Sequence, residues 1–287
     1  MSIEKICTVS VIGAGQMGTG IAQRVSSYGY TTNIIDVNED ILNRSIKKIT
    51  SSLTKQVEKG NLTASKKDDI LKRISISEDF NSAKESDMII EAVFENEGIK
   101  KDVLGKLDAV CKKDTIFASN TSSIAIGRIS SLISRKDTLI GLHFMNPVPV
   151  MSFVEVIKSK KTSDDTLKTS LEFLKSIGMD YIITKDIPGF LSSKLAAVSL
   201  NEAANLLHQG MGTVEDIDKC VKKCLNHPMG PFELLDFIGI DTIHNVLNII
   251  YKGTGDSKYF PSPVITQMVE AGLYGVKTGK GFYDYKK

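Results

Sequence analysis

The chain has 287 residues, 41% hydrophobic and 24% charged, with 36 Lys plus Arg against 34 Asp plus Glu and no Trp. That composition fits a folded protein of roughly two domains and excludes wholesale disorder; a net charge of +2 excludes the broad basic field that nucleic acid would need as a main partner. No apolar run approaches the ~18 residues of a membrane span, the first residues carry no signal-peptide pattern, and four scattered cysteines require no disulfide scaffold, so the expectation is a cytoplasmic protein with neither a membrane nor a nucleic-acid partner.

In chain order, Ile6 to Ile12 predicts a strand, Met17 to Tyr28 a helix and Thr31 to Ile35 a second strand. Ile41 to Lys59 and Ser65 to Lys72 have helical spacing. Met88–Val93, Thr115–Ala118, Leu139–Phe144 and Phe153–Ile157 are short and strand-like, with helical stretches at Lys100–Val110 and Ser163–Ile177. Strands separated by helices predict an α/β domain with a mostly parallel sheet covered on both faces. The character changes near Asp186-Ile187-Pro188-Gly189. Beyond it the reading is all-helical: Leu191–Gln209, a helix opened by Thr213 with Asp216 three residues on, one with Pro231 in its first turn, then Thr242–Tyr251 and Val264–Leu273. The predicted domains are residues 1–185 and 190–287. Cys220 and Cys224, four apart on one helix face, are expected to be small buried hydrophobes; no further ligands cluster near them, and no metal is expected.

The strongest local motif is Gly13-Ala14-Gly15-Gln16-Met17-Gly18, spaced G-x-G-x-x-G between the first strand and first helix. Gly13 permits a tight turn, Gly15 lets a pyrophosphate approach, Gly18 lets the helix pack on the sheet, and the N–H groups at Gln16 and Met17 meet negative charge. Asp36 ends the second strand, eighteen residues after Gly18. A carboxylate there accepts from ribose hydroxyls and repels a 2′-phosphate, which favours NAD over NADP.

Other candidates stand after strands. Glu95 and Lys100 follow the Met88 strand, at a pocket edge or simply on the surface. Asn120 and Ser122 lie in Ser119-Asn120-Thr121-Ser122-Ser123, which could steady a substrate oxygen or the nicotinamide amide, or cap the next helix. His143 closes a probable strand, Asn146-Pro147 stiffens the loop that follows, and Glu155 comes twelve residues later on the next strand. Strand, turn, strand can return that carboxylate to the imidazole, giving a base able to take an alcohol proton; a core or capping histidine fits the same position. Arg44, Lys48, Lys55 and Lys59 share a helix face, with Ser51 and Ser52 beside them. That is a solvated surface or a site for a ligand bearing several phosphates.

Together these motifs resemble the short, single-function 3-hydroxyacyl-CoA dehydrogenases, nearest their bacterial 3-hydroxybutyryl-CoA branch. The resemblance runs from Val9 to the end, through Glu91–Asn96, Gly141–Pro149, Asp186–Phe190, Asn226–Leu234 and Lys277–Tyr283. It implies a Rossmann-type domain followed by a helical one that also pairs subunits, as a homodimer or a higher homo-oligomer. It further implies NAD as cofactor and an acyl-CoA substrate between the domains. It places the catalytic histidine and its glutamate on His143 and Glu155, a substrate-contacting serine on Ser122, cofactor contacts on Glu95, Lys100 and Asn120, and substrate contacts on Asn146 and on Lys48, Ser51 or Lys55. One departure stands out. Where the family has asparagine after Pro-Gly-Phe and two apolar residues, this chain has Ser193, shorter and without an NH₂ donor. Two other readings are compatible with the fold: a dehydrogenase of a free 3-hydroxy acid, and a non-catalytic dinucleotide-binding protein.

Overall fold

The computed structural model describes residues 6–286, and the chain divides into two compact units, Met1–Asp186 and Ile187–Lys287. The first unit holds one sheet of eight strands: β1 (Thr8–Ile12), β2 (Thr31–Ile35), β3 (Ile74–Ser77), β4 (Met88–Glu91), β5 (Ile116–Ser119), β6 (Leu139–Phe144), β7 (Phe153–Lys158) and β8 (Asp180–Lys185). Their order is β3-β2-β1-β4-β5-β6-β7-β8. Pairing is parallel from β3 to β6, antiparallel between β6 and β7, and parallel again between β7 and β8. Val9, Val11, Ile34, Ile35, Ile89 and Ile90 are fully buried, because residues of both strand faces are covered in such a sheet.

The helices are α1 (Gln16–Ser27), α2 (Glu39–Glu58), α3 (Ala64–Lys72), α4 (Glu97–Val110), α5 (Ile126–Ser130) and α6 (Asp164–Ser176). The start of α2 is fixed by Asn38, whose side chain accepts from the Ile41 N–H, and that of α4 by Asn96 accepting from Ile99. α2 buries Leu42, Ser45, Ile49 and Leu53, the three-to-four spacing of one apolar stripe.

Two strands were not predicted from sequence. β3 is Ile-Ser-Ile-Ser and β8 is Asp-Tyr-Ile-Ile-Thr-Lys. They are the two edges of the sheet. An edge strand is half covered, so it lacks the apolar run that marks the strands between.

The second unit has α7 (Ser192–His208), α8 (Val214–Cys224), α9 (Pro231–Ile238), α10 (Ile240–Thr254) and α11 (Pro263–Glu270). Its core includes Leu200, Ala204, Phe232, Leu235, Leu247, Ile250 and Ile265. Thr213 caps α8 through Asp216 N–H at 3.1 Å, and Pro231 stands in the first turn of α9. Two buried aspartates tie the unit together. Asp218 on α8 accepts from the Phe232 and Glu233 N–H groups at the start of α9 and from the Tyr283 hydroxyl. Asp236 on α9 accepts from the Phe282 and Tyr283 N–H groups. The expectation for two cysteines is corrected: Cys220 and Cys224 are both exposed. The inward side of α8 is taken by Asp218, with Ile217 packed on the core. No helix among the described residues is long and apolar enough to cross a membrane, and no group of three potential metal ligands occurs among them.

Candidate active site

The glycine turn joins β1 to α1 at the carboxyl end of the sheet. Gly13 has φ +100°, and a Cβ there would lie 2.7 Å from the Ala92 carbonyl oxygen. At Gly18 a Cβ would lie 1.8 Å from the Gly13 carbonyl oxygen, so the turn and helix can close only without that atom. Gly15 differs: a Cβ would meet nothing within 4 Å. The fold has no use for its small size, but a group laid against the turn would. Gly15 is the N-cap of α1, and first-turn N–H groups have no partner within their helix. Met17, in the first turn, packs its side chain on the core. The Asp36 carboxylate accepts from the Ala14 N–H through Oδ2 at 2.7 Å. Its other oxygen is the one that can accept from a ribose hydroxyl. An open glycine at a helix start, with a carboxylate at the end of the adjacent strand, fits a dinucleotide with free ribose hydroxyls.

At the ends of β4 and β5 the chain builds a charged cluster. Lys100, 1% exposed, puts its ammonium 2.7 Å from Glu91 Oε1 and 3.3 Å from Glu95 Oε2. Glu91, fully buried, also accepts from the Val93 N–H at 2.9 Å and the Ser119 hydroxyl at 2.6 Å. Glu95 Oε1 gathers the 121–123 segment. It accepts from the Thr121 and Ser123 hydroxyls and, at 3.0 Å each, from the Ser122 and Ser123 N–H groups. Burial raises the Glu95 carboxyl, but Lys100 and the two hydroxyls outweigh it, so the group sits below the usual carboxylate range. Burial likewise works against the Lys100 charge, yet Glu91 and Glu95 hold its pKa above the ordinary value. The family resemblance sets Lys100 on the cofactor side of this cluster. It is enclosed, and its ammonium meets carboxylates.

His143 and Glu155 are direct partners across the antiparallel β6–β7 pair. Residues opposite one another share a sheet face, which is why a separation of twelve in sequence becomes 3.4 Å between His143 Nδ1 and Glu155 Oε2. The carboxylate is fully buried and the imidazole 13% exposed. Asn120 fixes the end of the same strand, its Oδ1 accepting from the Phe144 N–H at 2.9 Å. The Asn120 oxygen thus has a structural use besides any contact with a ligand. In the β6–β7 loop the Asn146–Pro147 bond is cis, and Asn146 Oδ1 accepts from the Gln16 side chain at 3.1 Å.

A cleft in the first unit is lined by Gln16, Gln23, Lys48, Ser52, Asn146 and Val148, among others. Of the α2 residues selected from sequence, Lys48 lines this cleft, while Ser51 and Lys55 stand exposed on the same helix. Ser52, which accepts from Gln23 Nε2 at 3.0 Å, is the serine that faces it. Ser193 stands in the first turn of α7 in the second unit. Sequence reasoning missed Glu91 as an anchor. Its one signal was a carboxylate directly after the three apolar residues Met88, Ile89 and Ile90.

A doubly wound sheet with these groups beyond its strand ends defines a class, the two-domain nicotinamide-dinucleotide dehydrogenases. Comparison with known proteins narrows it. The 3-hydroxyacyl-CoA dehydrogenase NAD binding domain matches residues 8–187, and the C-terminal domain of that family matches residues 189–285. A probable 3-hydroxybutyryl-CoA dehydrogenase of Bacillus subtilis is 40% identical over 283 residues, 99% of each chain. The human mitochondrial hydroxyacyl-coenzyme A dehydrogenase is 41% identical over 285 residues, covering 97% of this chain and 91% of that protein. The crystal structure of (S)-3-hydroxybutyryl-CoA dehydrogenase PaaH1 from Ralstonia eutropha superposes with a TM-score of 0.94 at 38% identity, covering 99% of this chain and 100% of that one. The chain belongs to the 3-hydroxyacyl-CoA dehydrogenase family and is an NAD-dependent dehydrogenase.

Proposed function

We propose that this enzyme interconverts a (3S)-3-hydroxyacyl-CoA and its 3-oxoacyl-CoA, with the four-carbon pair 3-hydroxybutyryl-CoA and acetoacetyl-CoA as substrates. The short chain length is supported by the names of the bacterial relatives. The observation that carries the mechanism is the His143–Glu155 cross-strand pair. With Nδ1–H donated to Glu155, the imidazole holds its lone pair on Nε2, and Nε2 takes the substrate hydroxyl proton. The Glu155 carboxylate then steadies the imidazolium and keeps the ring from turning. Bound NAD supplies the hydride acceptor. Ser122, on backbone anchored by Glu95, holds the substrate oxygen.

 The basic face of α2, with Lys48 and Ser52 at the cleft and Ser51 and Lys55 beside them, meets the phosphates of the coenzyme A moiety.

Self-association through the helical unit belongs to the same reading. It is supported by exposed apolar side chains there, among them Leu195, Met211, Leu225 and Phe237, and light scattering on the purified chain tests it. The activity is tested by following NADH absorbance with acetoacetyl-CoA and, separately, with free acetoacetate. The CoA ester is expected to be reduced at least a hundredfold faster. Equal rates would select a free-acid dehydrogenase, and no oxidation of NADH with either would select a non-catalytic protein.

A further inference from the structure

The cluster of Glu91, Lys100 and Glu95 does not balance its charge. Every contact described for the Glu91 carboxylate comes from a donor: the Lys100 ammonium, the Val93 N–H and the Ser119 hydroxyl. Such a group is a carboxylate and not an acid. Glu95 is likewise surrounded by donors on Oε1 and faces Lys100 with Oε2. Two negative charges therefore share one positive charge, leaving a surplus of one negative. Glu91 and Lys100 are 0% and 1% exposed, and Glu95 is 28% exposed, so water screens the inner pair little. The nearby Glu97 carboxylate pairs with Arg128 and adds no net charge.

The position of this surplus matters. In a doubly wound sheet the dinucleotide crosses the point where strand order reverses, here between β1 and β4. Asp36, at the end of β2, marks the adenosine half. Glu91 and Ser119 end β4 and β5, on the nicotinamide half. The two redox forms of the cofactor share their adenosine and pyrophosphate. They differ at the nicotinamide, which is cationic when oxidised and neutral when reduced.

We propose that the surplus negative charge of this cluster shifts the site's cofactor preference toward the oxidised form, and that Glu91 is the residue that creates it. Glu91 acts at a distance as a positioning residue for charge: it takes up the Lys100 ammonium and leaves Glu95 uncompensated toward the ligand. If Glu91 were neutral, Lys100 and Glu95 would cancel. Unit charges roughly 10 Å apart at an effective dielectric near 20 shift an equilibrium by about tenfold. The inference rests on the NAD-dehydrogenase reading, but not on the identity of the acyl substrate.

The test is a pair of cofactor titrations without acyl-CoA, one with NAD⁺ and one with NADH, on the wild type and on Glu91→Gln, Glu95→Gln and Asp36→Asn. The quantity read is the ratio of Kd for NADH to Kd for NAD⁺. Glu91→Gln should lower that ratio about tenfold, and Glu95→Gln should lower it in the same direction. Asp36→Asn should weaken both forms together and leave the ratio unchanged. General damage to the site also weakens both forms together, so the ratio separates charge from structure. A ratio unaltered in Glu91→Gln overturns the proposal. If that buried variant does not fold, an unaltered ratio in Glu95→Gln overturns it equally. Because no acyl ester is present, a negative result leaves the proposed reaction standing, and failure to turn over acetoacetyl-CoA would leave the cofactor ratio intact.

Discussion

The two units bury carboxylates in different company. In the sheet unit, Glu155 faces an imidazole, and Glu91 faces an ammonium and a hydroxyl as well as one N–H. In the helical unit, Asp218 and Asp236, each 1% exposed, take backbone N–H groups and one tyrosine hydroxyl. Both arrangements satisfy a buried charge. They differ in what the partner can do. A peptide N–H neither titrates nor swings away, so a carboxylate bound to it locks one segment against another. An imidazole or ammonium can move a proton or carry charge, so a carboxylate bound to it can serve chemistry. Asp36 shows that the sheet unit uses the backbone kind as well, with one oxygen on the Ala14 N–H.

The largest effect expected from this contrast is on turnover. His143→Ala should lower kcat about a thousandfold, within the usual span for a lost general acid–base group, while the melting temperature moves little. Glu155→Gln should cost less, about ten- to a hundredfold, because the base survives with a less favoured orientation. A steady-state assay with NADH and acetoacetyl-CoA reads both, and a wild-type rate in His143→Ala would end the contrast on the sheet side. On the helical side the effect should appear in stability. Asp218→Ala leaves two buried N–H groups and a tyrosine hydroxyl without their acceptor, a loss of about 2–4 kcal/mol to be read from the urea midpoint. Asp36→Ala should weaken NAD binding about tenfold and NADP binding by less; equal losses would remove Asp36 from the ribose site.

The smallest effect, and the finest test, is in pH. Glu95 lies below the ordinary carboxylate value of 4.5. Its contribution is present above that value and is lost as pH falls through the folded one, so the sheet unit weakens on the acid side. Burial, then Asp218, hold the Tyr283 hydroxyl above its ordinary 10, and burial with Asp236 pushes Tyr285 up to about 12. Their contribution is intact below pH 10 and declines as pH rises toward the folded values. The helical unit should therefore loosen in alkali around these two tyrosines. Hydrogen exchange across pH 3 to 11, read at the 121–123 segment held by Glu95 and at the Asp218–Tyr283 contact, would show acid opening at the first and alkaline opening at the second; parallel behaviour would remove the distinction.

Much of this was legible before any coordinates. The strands between the sheet edges announced themselves because two-sided burial demands unbroken runs of Val and Ile. The glycine turn was readable because its first and third glycines stand where a Cβ would strike backbone. The helix starts at Thr213 and Pro231 followed from local capping chemistry. The edge strands β3 and β8 were not legible, since one covered side leaves no apolar run. Cys220 and Cys224 were misjudged because helical spacing says which residues share a face, not which way the face turns.

For the site, sequence determined the inventory: a carboxylate after β2, a hydroxyl-rich segment after β5, a histidine and a glutamate on successive strands. Only the tertiary structure decided their partners. The β6–β7 register set His143 opposite Glu155, and closure of α4 onto β4 enclosed Lys100 between Glu91 and Glu95. The physical reason is range. Propensity, capping and turn strain act over a few residues and are written locally, whereas burial and charge pairing depend on groups brought together from distant parts of the chain.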